Sequence, residues 1–158
     1  MLKAIEGCRF IKWLHAGLYR DAALLESHSK ENFLKESDIR RLMRRKYGMG
    51  GFVITEFAKP VGYTIYEQTG SVLEIINLVV HQDYRRRGFG RLLVEKLETR
   101  KKWDSIQLSV RESNLDAHLF FRDQGFLATG VKRNYFEDHF ADNVKFEDAY
   151  HFRKDKTQ

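Results

Sequence analysis

The chain of 158 residues contains one cysteine, Cys8, and one proline, Pro60. A single thiol excludes an intramolecular disulfide and a cysteine-cluster metal site, so a reducing, cytoplasmic setting is the expectation. No linker rich in glycine and serine interrupts the chain and no segment repeats, which reads as one domain over 1–158. No apolar run approaches the roughly 20 residues of a membrane span, and the N-terminus lacks the apolar stretch of a signal peptide; a membrane partner is not expected. The histidines (His15, His28, His81, His118, His139 and His151) show no metal-ligand spacing, so no metal is expected.

What the chain has in surplus is positive charge, a net +6. That surplus favours phosphates, nucleic acid or acidic surfaces without choosing among them. Arg40 to Lys46 and Arg100 to Lys102 read as solvated helix faces or ends. The first has no interleaved aromatics, which argues against nucleic acid. The cluster Arg85-Arg86-Arg87 differs, because Gly88 and Gly90 follow it at once.

Hydrophobic spacing predicts a strand at Phe10 to Leu14 and helices at about His15 to Ser27 and Ser37 to Lys46. The second helix should bury Ile39, Leu42, Met43 and Tyr47, with Ser37 or Asp38 as its cap. Gly48 to Gly51 breaks it. Strands then follow at Phe52 to Phe57 and Val61 to Glu67 around a turn at Ala58 to Pro60. After the turn at Gln68 to Gly70, Val72 to Val80 is almost continuously apolar, as in a central strand covered on both faces. Phe89, Leu92, Leu93 and Leu97 mark a helix that ends near Arg100 to Lys102. A strand at Ser105 to Val110, a short helix at Leu115 to Gln124 stopped by Gly125, and strands at Phe126 to Arg133 and Asp148 to Lys154 complete the pattern. The order β-αα-βββ-α-β-α-ββ predicts an α/β (α+β) domain around one mixed, mostly antiparallel sheet.

A strand that ends in a glycine turn and opens a helix is a ready anion site, because the first helical N–H groups lack internal partners. Gly88 and Gly90 allow close approach, and Arg85, Arg86, Arg87 and Arg91 supply charge for a polyanion such as pyrophosphate. A basic turn that merely caps a helix is the alternative. Two better-known phosphate loops are excluded: the third glycine of the dinucleotide fingerprint is missing, and no Gly-x-x-x-x-Gly-Lys-Ser/Thr occurs.

Arg85-x-x-Gly88-x-Gly90 after Leu78-Val79-Val80 resembles the coenzyme A motif of the GNAT superfamily of N-acetyltransferases. A second block, Leu108 to Asn114 with Ala117 and Phe121 to Phe126, is similar to that family's second motif. With Lys132 to Phe136 it most resembles the RimI-like protein N-terminal acetyltransferases. The resemblance implies acetyl-CoA as donor, held by Leu78, Val79, Val80, Arg85 to Arg91, Asn114 and Phe121. It implies direct attack of an amine on the thioester, with an oxyanion held by a backbone N–H in Leu78 to Val80 and a proton returned to the thiolate. An α-amine, with a reference pKa of about 7.7–8.0, needs less help from a base than lysine at about 10.4.

Two residues depart from the RimI-like pattern: its base position holds Ser109, and its acid position holds Phe121, which has no proton to give. Glu74, the only carboxylate in the apolar strand, matches the position of a catalytic glutamate in several family members. Burial there would raise its pKa, the direction a base requires; a glutamate at the strand's solvated start is the alternative. Tyr135 is then a substitute acid or part of the peptide-binding wall. Asn114 matches the asparagine that bonds the pantetheine arm and is also placed as a helix cap.

The implied acceptor is a protein N-terminal amine. The acidic stretch Glu137, Asp138, Asp142, Glu147 and Asp148 leaves a polyamine, amino sugar or lysine open, and Ser109 with Phe121 leaves a non-catalytic acetyl-CoA-binding module open. Acceptor recognition is expected in the Ser27 to Ser37 connection and a polar Asn134 to Lys145 loop.

Overall fold

The apolar segment Val72–Val80 forms the middle strand, β4, of a sheet in the computed structural model, which describes residues 8–29, 34–44, 47–140 and 143–157. The earlier elements are β1 (Arg9–Trp13), α1 (Tyr19–Leu25), α2 (Glu36–Arg44), β2 (Met49–Glu56) and β3 (Lys59–Thr69). The later ones are α3 (Phe89–Glu98), β5 (Ser105–Arg111), α4 (Leu115–Asp123), β6 (Leu127–Phe140) and β7 (Asn143–Asp155). Among the described residues the sheet order is β1-β2-β3-β4-β5-β7-β6, antiparallel throughout except for the parallel pair β4–β5. The element order and the mixed, mostly antiparallel sheet are those the sequence predicts. No described helix is long and apolar enough to cross a membrane.

The alternation of side chains along the strands feeds two cores. Leu73, Ile75, Ile106, Leu108 and Phe152 pack against α3 with Phe89, Leu93 and Leu97. On the other face Val53, Tyr63, Ile65 and Val79 pack with Ala22 and Leu25 of α1 and Ile39 of α2. The β3–β4 register pairs Ile65 with Asn77 but Tyr66 with Ile75, so Ile76 is a bulge. The bulge switches the strand's facing: Ile75 belongs to the α3 core, whereas Val79 belongs to the α1 core.

Several local expectations are corrected. β2 starts at Met49 rather than Phe52 and takes in Gly50 and Gly51, because neighbouring groups cross there. A Cβ on Gly50 would meet the Tyr66 ring at 2.5 Å, and one on Gly51 the Thr64 carbonyl at 2.7 Å. The next turn is the pair Phe57-Ala58, both at positive φ, so β3 starts at Lys59 and includes Pro60. Tyr47 is exposed in a turn rather than buried on α2, which ends at Arg44, and residues 45 and 46 lie outside the described set. Asp38 accepts the Lys35 N–H at 3.1 Å from inside the first turn of α2. β4 is covered on one face only near its start, where Glu74 and Ile76 are exposed.

The largest correction is the polar segment 134–145. Its described residues are strand, paired from Phe136↔Glu147 to Phe140↔Asn143. Asp138 of this segment and Glu147 just beyond it bind the hairpin to the sheet: the buried Arg111 donates to Asp138 at 2.8 and 2.9 Å and to Glu147 at 3.1 Å, and lies over the Phe136 ring at 4.3 Å. A bulge between Lys132 and Phe136 is fixed by Asn134 N–H donating to Asp148 at 2.8 Å.

Candidate active site

β4 and β5 pair only at Val72↔Ser105 to Glu74↔Gln107. Beyond Glu74 they part, and the opening is a cavity of about 420 Å³. Its walls are Ile75 to Val80 of β4, Leu108 to Val110 of β5, the loop 84–91 without Arg87, and Asn114, Ala117, Phe120 and Phe121 at α4; His28 and Ser29 line it as well, with His28 beside Arg85 and His81.

At the loop end, Gly88 takes φ +83 and precedes α3 without any side-chain cap, leaving the first helical N–H groups open to an anion. A Cβ on Gly90 would meet the Phe120 ring at 3.0 Å, so this glycine lets α3 lie close to α4. The arginines divide. Arg86 and Arg91 line the cavity, with Arg86 also 3.8 Å from Asp116 and Arg91 donating to Glu95 at 2.7 Å. Arg85 lines it too, but its guanidinium donates to the carbonyls of Val80 (3.2 Å) and His28. Arg87 points away: its Nη2 donates to both carboxylate oxygens of the buried Glu56 at 2.8 Å, which corrects its place as a phosphate ligand. Burying an unpaired Glu56 would be costly, and Arg87 with Arg9 neutralises it.

Along the middle, His81 N–H donates to Val61 of β3. The antiparallel alternation then turns Val79 N–H toward β3 and those of Leu78 and Val80 toward the opening. Phe121 lines the cavity and packs on Phe120 and Phe126. Asn114 both lines it and caps α4, accepting Ala117 N–H at 3.3 Å.

Glu74 is not the buried carboxylate expected. It is exposed and outside the cavity lining, because the half-covered face of β4 carries it. Strand alternation places it on the same sheet face as Gln107 and Ser109 of β5, and Ser109 lies opposite His151 of β7. The His151 Nδ1 is buried without a partner, and burial, with Lys132 and Arg153, holds this imidazole below its ordinary pKa while Glu74 opposes the shift. Tyr135, half-exposed on the β6 bulge beside Lys132 and Phe136, lies outside the cavity lining and so is not placed there as an acid.

The sequence reading missed the polar group behind β4. Buried Glu26, at the end of α1, accepts from the buried Tyr63 hydroxyl and from Asn77 Nδ2 at 2.5 Å. It also accepts the Leu34 N–H at 3.3 Å. Burial first, then the Glu26 charge, pushes the Tyr63 hydroxyl well above the usual phenol range. One signal was available: Asn77 is the only amide in an apolar strand, where a polar group needs a partner.

A sequence model described as the acetyltransferase (GNAT) family matches residues 6–126. The ribosomal protein bS18-alanine N-acetyltransferase of Escherichia coli (strain K12) is 32% identical over 88 residues, 54% of this chain and 60% of that protein. The chain thus matches less than two thirds of that relative's length. The crystal structure of the ribosomal-protein-S18-alanine N-acetyltransferase from Escherichia coli superposes with a TM-score of 0.77 at 25% identity over 92% of each chain. That of Ard1 from Thermoplasma volcanium shares the fold, with a TM-score of 0.79 at 21% identity over 95% of this chain and 99% of that one.

Proposed function

The chain belongs to the GNAT acetyltransferase family, and from that membership we propose that it is an N-acetyltransferase moving acetyl from acetyl-CoA to a protein N-terminal amine, built as one domain. The observation that carries the reading is the split between β4 and β5 with an uncapped helix N-terminus at its end. The fit to the donor is physical: open N–H groups at Phe89 to Arg91, a backbone left bare by Gly88, and Arg86 and Arg91 at the wall suit a pyrophosphate. Acetyl-CoA supplies an activated thioester carbonyl.

The chain's own groups would then act as follows. The N–H groups of Leu78 and Val80 face the opening and would stabilise negative charge on the carbonyl oxygen. Phe120 and Phe121 exclude water from that stretch. As the N–C bond forms and the C–S bond breaks, one proton leaves nitrogen and one reaches sulfur. We assign removal of the nitrogen proton to Glu74 acting through water, on the face that also carries Ser109 and the neutral His151. A coenzyme thiolate is a weak enough base for water to supply the second proton, so Phe121 is compatible with turnover.

A small polycation as acceptor is less well supported, because the acidic hairpin is already engaged: Asp138 and Glu147 on Arg111, Asp148 on Arg133 and Asn134. The α-amine reading rests on the named activity of the relatives. Free thiol release from acetyl-CoA, measured with N-terminal peptides, lysine peptides and polyamines, tests it. Peptides with a free α-amine should give the highest rate, and Glu74→Gln should lower kcat about tenfold or more. Thiol release from polyamines alone would overturn the acceptor, and a fully active Glu74→Gln would remove Glu74 as base.

A further inference from the structure

Asn77 lines the cavity one residue beyond the Ile76 bulge. Its Nδ2 carries two hydrogens. One goes to Glu26 Oε1 at 2.5 Å and the other to the Tyr63 hydroxyl oxygen at 3.0 Å, while that hydroxyl donates its own hydrogen to the same Oε1. An ionised carboxylate can only accept, so the amide must present its nitrogen to it. Tyr63 stays protonated because burial and the Glu26 charge both oppose its ionisation. The amide is thereby fixed in one of its two orientations, and the side-chain carbonyl oxygen is the polar atom left for the cavity.

Resting on the acetyltransferase reading above, we propose that Asn77 recognises the acceptor: its Oδ1 accepts a hydrogen bond from an N–H of the incoming amine, and buried Glu26 is the positioning residue that keeps Oδ1 turned to the cavity. A primary amine that gives one hydrogen to Asn77 keeps its lone pair directed elsewhere, free for the thioester carbon. Asn77 lines the same cavity as Leu78 and Val80, whose N–H groups face the opening, so an amine held by Asn77 is near the place where the thioester carbonyl would sit. Glu26 also accepts the Leu34 N–H, so Leu34, just before α2, and the recognition amide share one carboxylate. Its negative charge favours a neutral or cationic acceptor over an anionic one.

The test uses the full chain, acetyl-CoA and the best acceptor of the thiol-release panel. Asn77→Ser retains a donor for Glu26 but is too short to present an acceptor atom at the same place. It should raise the acceptor KM about tenfold, the loss of one hydrogen bond, and leave acetyl-CoA affinity by titration calorimetry within about twofold. Glu26→Gln, whose own amide lets Asn77 turn over, should raise the same KM by a smaller factor with the same fold by circular dichroism. The wild type should bind the amine better than its N,N-dimethyl analogue, and Asn77→Ser should lose that discrimination. An unchanged acceptor KM, or an equal loss of acetyl-CoA affinity, overturns the assignment while leaving the acetyltransferase reading intact. If Asn77→Ser fails to fold, the Glu26→Gln constants and the wild-type preference decide by the same criteria. No thiol from any acceptor with the wild type overturns that reading and this assignment together.

Discussion

The two proposed binding sites are built by different means. The proposed donor site is local: a strand end, a glycine at φ +83 and a helix N-terminus within consecutive residues. The proposed acceptor site is assembled from distance: Glu26 just beyond α1, Tyr63 of β3 and Asn77 of β4; the β6–β7 hairpin, outside the cavity lining, is likewise tied down by a distant residue, Arg111 of β5. A local site binds through backbone groups that any family member can supply. An assembled one depends on side chains that can be exchanged, which is how one fold takes different acceptors.

That contrast can be broken from either end, beginning with the largest effect. Arg111→Leu leaves Asp138 and Glu147 without their cation and frees the hairpin. Stability should fall by about 3 kcal/mol, lowering Tm by roughly 6–12 °C in a thermal melt. Below the new Tm, acetyl-CoA should still bind, because the donor loop is untouched. Gly88→Val forces a β-branched residue into a left-handed conformation, worth about 1–2 kcal/mol, and should weaken acetyl-CoA roughly tenfold by calorimetry. Arg87→Leu, one residue earlier, should do the reverse. It should cost about 1 kcal/mol of stability, since the half-exposed Arg87 shares Glu56 with Arg9, and leave acetyl-CoA affinity within about twofold.

Legibility followed the same division. The donor loop could be read because periodicity, glycine and charge coincide within a few residues, and β4 kept its predicted bounds because its apolar run is unbroken save for Glu74 and Asn77. What misled was single-residue context. Gly50 and Gly51 resemble a break until Tyr66 and Leu14 are seen crossing them. The 134–145 segment resembles a loop because its Asp138, like the nearby Glu147, is satisfied by Arg111, more than 20 residues away in sequence, rather than by water. Glu74 looked buried because an apolar strand does not announce which face a bulge leaves open. The Glu26–Asn77 bond joins residues 51 apart, a separation no motif spans.

The smallest effect is a pH dependence carried by His151, which lies opposite Ser109. Burial, with Lys132 and Arg153, holds His151 below its ordinary pKa, while Glu74 opposes the shift. The folded state therefore resists a proton that the unfolded chain accepts near pH 6.5. The sign follows by linkage: this contribution is fully present above the unfolded value and is lost as pH falls from there toward the lower folded value. Urea unfolding should thus show stability declining from pH 7 to pH 5, and His151→Asn should flatten that decline. His81, lowered by burial and by His28 near the donor loop, contributes in the same direction, so the slope should shrink rather than vanish. An unaltered slope in His151→Asn would mean that this imidazole is solvated in the folded state, and the sheet face of Glu74 and Ser109 would then lose its neutral histidine.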